Sequence, residues 1–324
     1  MIVSTWRQYA EGRKVTRPLP EALRHVGLAK EGSDGKLAPT RAAVLLFAEE
    51  PNGLLDSKCA VRVFHYKGDR IEHSVTTNLV RPPRTAGGPL IVQIRVAVDL
   101  TVDALASGIQ VGPLGFENVQ KYPLRVLREA ITNAVIHRDY RHSADIHIRV
   151  FDNLIEIESP GAFPGRVNAR NISTFGSHPR NRSLVDHLRE FPSPPNLDAG
   201  EGVRMMFSVM DKAGLYAPIF RAPPDLPREA VMTVLLNEAR PTAWVQVEAR
   251  ARKHGSIGNA EVRAILRTDD SVRASRMLRR WVEAGLLVPV EPESAKKDRR
   301  YRLSGQEVQP ALFPISWRHE IKST

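Results

Sequence analysis

The sequence predicts an α/β fold: a two-layer α/β sandwich, preceded by a small α/β subdomain and followed by three helices and a hairpin. Three observations carry this. Stretches with apolar residues at helical spacing alternate with short runs in which apolar and polar residues alternate. The two clearest runs, Ile146/Ile148/Val150 and Ile155/Ile157, lie on either side of Asp152-Asn153 and read as a hairpin with one buried face. The last stretch, residues 238–324, is basic, with 17 Lys and Arg against 11 Asp and Glu, and ends in a hairpin signal.

Taken in order, residues 1–108 hold a short amphipathic helix over 20–26, a buried-looking stretch over 41–47 and an alternating strand over 60–66. A helix over 90–106 then leads into the next unit across a soft boundary near residue 109. Residues 109–237 begin with a helix over 124–137, followed by strands over 145–151 and 154–158. A Pro-, Gly- and Asn-rich excursion over 162–199 comes next, then a helix over about 201–212 and a strand over 230–237. An excursion of that length between ordered elements reads as a lid. Residues 238–324 carry helices over 244–253, 259–266 and 271–284, strands over 286–290 and 300–303, and a basic tip between the strands.

Length and composition narrow the function. A chain of 324 residues supports two or three domains with a sizeable core. The formal net charge of +11 favours polyanionic partners, nucleic acid or nucleotides. Cys59 is the single cysteine, which excludes an intrachain disulfide and a cysteine-based zinc site. No apolar run approaches the roughly 20 residues a bilayer requires, and the first residues lack an apolar stretch followed by a cleavage site. The expectation is a cytoplasmic protein with no membrane partner.

The densest chemistry lies in Arg128-Glu-Ala-Ile-Thr-Asn-Ala-Val-Ile-His-Arg-Asp-Tyr140. In a helix Glu129 and Asn133 are four residues apart and share a face, while Leu127, Ala130, Ile131, Ala134 and Val135 can face a core. The carboxylate could align or deprotonate a water, and the amide oxygen is a hard ligand suited to Mg²⁺. On spacing alone, a surface polar pair is the commoner explanation. The second signal is Gly200-Glu201-Gly202-Val203 opening an apolar helix. Glycines there let backbone N–H groups hold phosphate oxygens at the positive end of the helix dipole, although such a pair is about as often a plain turn.

Together, "LREAITNAVIHRDY", "IEIESPGAFP" and "GEGVRMM…MDKAGLYAPIF" resemble the GHKL (Bergerat-fold) ATPase domain of histidine kinases, gyrase and MutL. They look closer still to the GHKL-type domain of bacterial proteins labelled RecG-like helicases or Schlafen/AlbA-associated regulators. The resemblance covers roughly residues 20–236. It implies ATP and Mg²⁺ as cofactors, Glu129 as general base, Asn133 as Mg²⁺ ligand, and Gly200, Gly202 and Val203 as a phosphate-binding glycine box. It also implies a further DNA-binding domain ahead of this region, so the chain reads as a shortened member or a fragment. The family's adenine-reading pattern I-x-V-x-D-x-G-x-G becomes Ile155-x-Ile157-x-Ser159-x-Gly161-x-Phe163 here, with Ser for Asp and Phe for the second Gly. Ser159 and Gly161 are therefore the base-site candidates, and a Ser hydroxyl can accept one hydrogen bond without the strength of a carboxylate. Without a Walker A motif the helicase label implies no motor of the usual kind.

His137-Arg138-Asp139-Tyr140 imitates a protein-kinase catalytic loop, but the Asn expected five residues after the Asp falls at Ala144, which rejects that reading. His137 and Asp139 either approach the nucleotide or satisfy local backbone groups. His137, His142 and His147 match no metal-ligand spacing.

In the last piece, Arg273, Arg276 and Arg280 share one helical sector, opposite Ala274, Met277, Leu278 and Trp281. Three helices followed by a basic hairpin is the winged-helix order, with the third helix for the major groove and Lys296, Lys297, Arg299 and Arg300 as a wing on phosphates. A protein-docking winged helix with a solvated basic face is the alternative. The whole reads as an ATP-binding, DNA-binding transcriptional regulator with duplex DNA as partner, homodimerisation being left open. A slow Mg²⁺-dependent ATPase activity is left open too. The alternatives are a DNA-stimulated ATPase in repair or phage defence and a winged-helix protein on a degenerate nucleotide pocket.

Overall fold

The computed structural model describes residues 3–72, 77–106, 109–112, 115–118, 122–195, 200–224, 226–238, 240–291 and 299–305. They divide into two compact units, residues 1–239 and 240–324. The first unit begins with helices α1 (Val3–Gly12) and α2 (Leu19–His25), the small hairpin β1 (Ala29–Glu31) and β2 (Leu37–Pro39), and helices α3 (Arg41–Phe47) and α4 (Pro51–Leu55). Strands β3 (Val61–His65) and β4 (Arg84–Ala86) precede helix α5 (Leu90–Ala106), hairpin β5 (Ile109–Gly112) and β6 (Gly115–Asn118), and helix α6 (Leu124–His137). Strands β7 (Ile146–Val150) and β8 (Leu154–Pro160), helices α7 (Arg182–Leu188) and α8 (Gly202–Lys212), and strands β9 (Ile219–Arg221) and β10 (Ala230–Leu236) complete it.

Six strands form one mixed sheet in the order β4-β3-β7-β8-β10-β9, with β3 and β7 parallel and the other pairs antiparallel. The sheet therefore joins strands from both sides of residue 109. The register aligns Val63 with Ile148, Ile148 with Ile157 and Ile157 with Thr233, a row facing the helices. Ile148 and Ile157 are almost fully buried, each stabilising the fold by about 1.5–3 kcal/mol relative to exposure. α5 packs on β3, β4 and β7, α6 packs on β8, and α8 lies beside α6. This is the two-layer α/β arrangement expected from the sequence. Off the helix side, Glu158 is nearly inaccessible and pairs with Arg149 (2.6 Å) and Arg228 (3.0 Å); two guanidiniums offset the desolvation of one carboxylate.

Short elements that the period-based reading omits hold the edges. α1 seats Trp6 and Tyr9 against Phe47 and Phe191 in edge-on contacts. The Tyr9 hydroxyl meets Nδ1 of His187 on α7 at 2.8 Å, and burial pushes the phenol up to about 12 and the imidazole down.

The second unit contains α9 (Thr242–His254), α10 (Asn259–Leu266), α11 (Ser271–Glu283) and the antiparallel pair β11 (Leu287–Pro289) and β12 (Tyr301–Leu303). Asp270 caps α11 by accepting from the N–H groups of Val272 (2.8 Å) and Arg273 (2.9 Å). Trp244, Val247, Ala274, Leu278 and Trp281 are buried. Among the described residues, no helix is long and apolar enough to cross a membrane.

Candidate functional site

The amphipathic pattern of α6 divides its faces. Val126, Leu127, Ala130, Ile131, Ala134 and Val135 are buried, and the other side turns Arg125, Arg128, Glu129 and Asn133 toward a cavity of about 570 Å³. Pro123 opens the helix, which ends where Arg138 takes an extended ψ of 142°. The cavity lies between α6, the ends of β8 and β10, the N-terminus of α8 and the segment that follows β8. Glu129, Asn133, His137, Ser159, Gly161, Gly200, Gly202 and Val203, scattered over 75 positions of the sequence, all line it.

Asn133 Nδ2 donates to Glu129 Oε1 at 3.0 Å, an i,i+4 pair that leaves the amide oxygen of Asn133 for another partner. Burial pushes the Glu129 carboxyl up, against the smaller opposing effects of the Asn133 hydrogen bond and the Arg125 charge. Gly202, the first residue of α8, lies so close that a Cβ would collide with the Glu129 carboxylate. Glu129 therefore sits beside the positive end of α8, where unpaired N–H groups favour an anion. Gly200 needs its glycine for a φ of +67°.

Also on the cavity lining, Ser159 Oγ donates to the backbone oxygen of Ala134 at 2.8 Å, tying β8 to α6. Its single proton is committed, so toward the cavity it presents lone pairs. Gly161 has a φ of +104°, and a Cβ there would lie 2.6 Å from Cβ of Asp139.

Asp139 is not among the cavity-lining residues. Its carboxylate accepts from Nε (3.0 Å) and Nη2 (2.6 Å) of Arg141 and from Nη1 of Arg180 (3.2 Å), which hold it well below the usual carboxylate range, Arg141 contributing most. Of the two roles the sequence left open, its contacts are the local ones. Arg138 is fully buried and donates to the carbonyls of Lys58, His142 and Ala144. The kinase-like tetrapeptide is thus a corner that closes α6 onto the start of β7.

Over its described residues, 162–195, the excursion after β8 is an ordered wall. Asn168 and Asn171 build its turns by bonding neighbouring backbone groups, including Asn171 Nδ2 to the Arg166 oxygen at 3.0 Å. Arg180 donates to the carbonyls of His137 and Ala162, and Asn181 to those of Ile136 and Arg138, so the segment returns to the end of α6. Arg204 on α8 holds Thr174. Phe163, Val167, Ile172 and Phe175 present an apolar side to the cavity. Sequence reasoning noted Phe163 only as a departure from the family pattern and missed Val167, Ile172 and Phe175, because a non-periodic segment does not reveal which side chains turn inward. Arg125 and Arg128, on the polar side of α6, were missed as well.

The wall lies inside a stretch that resembles known proteins. Residues 143–227 match the family described as "Putative ATP-dependent DNA helicase recG C-terminal". The match spans β7 to the eve of β10 and supports an ATPase-like domain here. Among solved structures, the DIP2311 protein from Corynebacterium diphtheriae is similar in fold, with a TM-score of 0.50 at 18% identity over 94% of this chain. The chain spans 61% of the length of that protein. No curated protein matches it.

In the second unit, Arg273, Arg276 and Arg280 are exposed, as is Arg279 between them, while Ala274, Leu278 and Trp281 are buried. Arg300 is spent internally: it bonds Ser256 Oγ (2.9 Å) and pairs with Glu261 (2.8 Å), holding the Glu261 carboxyl below its ordinary value against the opposing effect of burial. Arg299 is half-buried, and Lys296 and Lys297 lie outside the described residues.

Proposed function

We propose that the chain is a nucleotide-responsive DNA-binding regulator, with ATP and Mg²⁺ taken by the cavity and duplex DNA by the exposed face of α11. The observation that carries it is that one cavity is lined together by Glu129, Asn133, Ser159, Gly161, Gly200 and Gly202, the residues that the family resemblance implies. Its size suits a nucleotide, since ligand pockets span about 300–1,000 Å³.

The donor set fits Mg²⁺ held partly by phosphate. Among the described residues no group of three His, Cys, Asp or Glu could hold a metal. One hard amide oxygen on Asn133 beside the Glu129 carboxylate suits an ion that keeps waters and phosphate oxygens as its other ligands. Bound there, Mg²⁺ would neutralise phosphate charge. The N–H groups of Gly202 and Val203 at the start of α8 would hold phosphate oxygens without reorganisation. Glu129 would orient a water and accept its proton on a carboxylate oxygen, whose basicity burial raises above the ordinary carboxylate value. The wall of Phe163, Ile172 and Phe175 would exclude bulk water.

Binding energy, rather than fast turnover, would transmit the signal if the nucleotide shifts the wall between alternative arrangements. Isothermal calorimetry with ATP, ADP and a non-hydrolysable analogue, with and without Mg²⁺, tests this. Micromolar Mg²⁺-dependent binding that Asn133→Ala abolishes is expected. No binding by the folded protein would leave the second reading, a DNA-binding protein on a silent pocket, which the commitment of Ser159 to Ala134 favours.

A further inference from the structure

We infer that this cavity, on the nucleotide reading above, takes nucleoside triphosphates with little regard to the base. Selecting adenine needs a group that rewards its exocyclic amine and rejects the carbonyl of guanine. A carboxylate does this through a charge-assisted hydrogen bond. Where the resemblance would place that carboxylate stands Ser159, whose only proton goes to the Ala134 carbonyl at 2.8 Å and whose side chain is buried against α6. It can offer one neutral acceptor, which discriminates amine from carbonyl by no more than about tenfold.

What the cavity offers instead is aromatic surface. Phe163 stands where the family pattern has its second glycine, and it lines the cavity together with Phe175 on the wall and Phe220 on β9. Phe175 is braced edge-on by His178, and Phe220 lies beside Phe207 with centroids 6.3 Å apart and planes inclined by 26°. Rings held by neighbours lose little entropy on binding a flat partner. Stacking accepts every base, because every base has a π-face, and contributes about 5- to 150-fold in affinity per base. The phosphate end, at Asn133 and the first turn of α8, is common to all four nucleotides. The specificity therefore lies in the triphosphate and in the presence of a base.

Competition calorimetry on the full chain, with Mg²⁺ and with ATP, GTP, CTP, UTP and inorganic tripolyphosphate as ligands, tests this. The four nucleotides should bind within about tenfold of one another and tripolyphosphate at least tenfold more weakly. Phe163→Leu, which keeps bulk and loses the ring face, should narrow the gap to tripolyphosphate while leaving the melting temperature within a few degrees. ATP preferred over GTP by a hundredfold or more, or tripolyphosphate binding as tightly as ATP, would overturn the inference and leave the nucleotide reading intact. Binding of none of the five by folded protein would overturn both.

Discussion

Glu129 lies between Asn133 and the first residue of α8, and burial raises its carboxyl. A raised carboxyl in the folded state means that ionisation costs stability, a cost absent below the unfolded pKa of about 4.3 and growing as pH rises through the folded value. Glu129→Gln should therefore melt higher than wild type at pH 7, with the two converging below pH ~4 in a thermal-melt series. An unchanged difference across that range would show that the carboxylate carries no such cost. Asp139 has the opposite sign: Arg141 and Arg180 lower its carboxyl, so its contribution is complete above the ordinary carboxylate range and fades as pH falls below it. Asp139→Ala, which takes the carboxylate partner from Arg180 and Arg141, should destabilise the first unit by about 2 kcal/mol in urea unfolding at pH 7. Pairing of Glu129 with Asn133 was legible from their spacing. That Ser159 spends its proton on α6 and Arg300 spends its guanidinium on Glu261 was not, because those partners lie 25 and 39 residues away and only folding brings them close.

Elements with long, regular patterns were read almost to the residue. α5 and α6 fall over 90–106 and 124–137 as the apolar spacing requires, and β7 and β8 pair across Asp152-Asn153. α4, β4, α7 and β9 have seven residues or fewer and no usable period, so packing rather than propensity decides them. The wall after β8 shows the same limit: its proline and glycine content predicts a loop, while its order comes from Arg180, Asn181 and Arg204 binding carbonyls of other elements. Arg180→Ala should accordingly open the segment between Phe163 and Pro195, speeding limited proteolysis there and costing about 2 kcal/mol. At the start of α8, Gly202→Ala should push the Glu129 carboxylate aside. Nucleotide affinity should then fall at least tenfold, with a melting shift of only a few degrees, since alanine is otherwise favoured in a helix. Unchanged affinity would mean that this approach is incidental to binding.

For the whole molecule, the division into residues 1–239 and 240–324 implies that each part folds alone, and the isolated second unit should show a cooperative thermal transition. If it binds duplex DNA through exposed Arg273 and Arg276, affinity should fall steeply with salt. Replacing both by alanine should reduce the slope of log affinity against log salt by about two. A slope unchanged by the double variant would point to another face. The sequence by itself determined the α/β class, the main helices and strands, the paired Glu129 and Asn133 and the basic face of α11. Each of these follows from local spacing, and a backbone with a fixed period writes its faces into neighbouring residues. Only the tertiary structure decided that eight scattered candidates share one cavity while Asp139 stands outside it. It also decided that aromatic rings from the wall and β9 complete that cavity. Those facts depend on which distant segments the burial of apolar surface brings together, and burial has no direction along the chain.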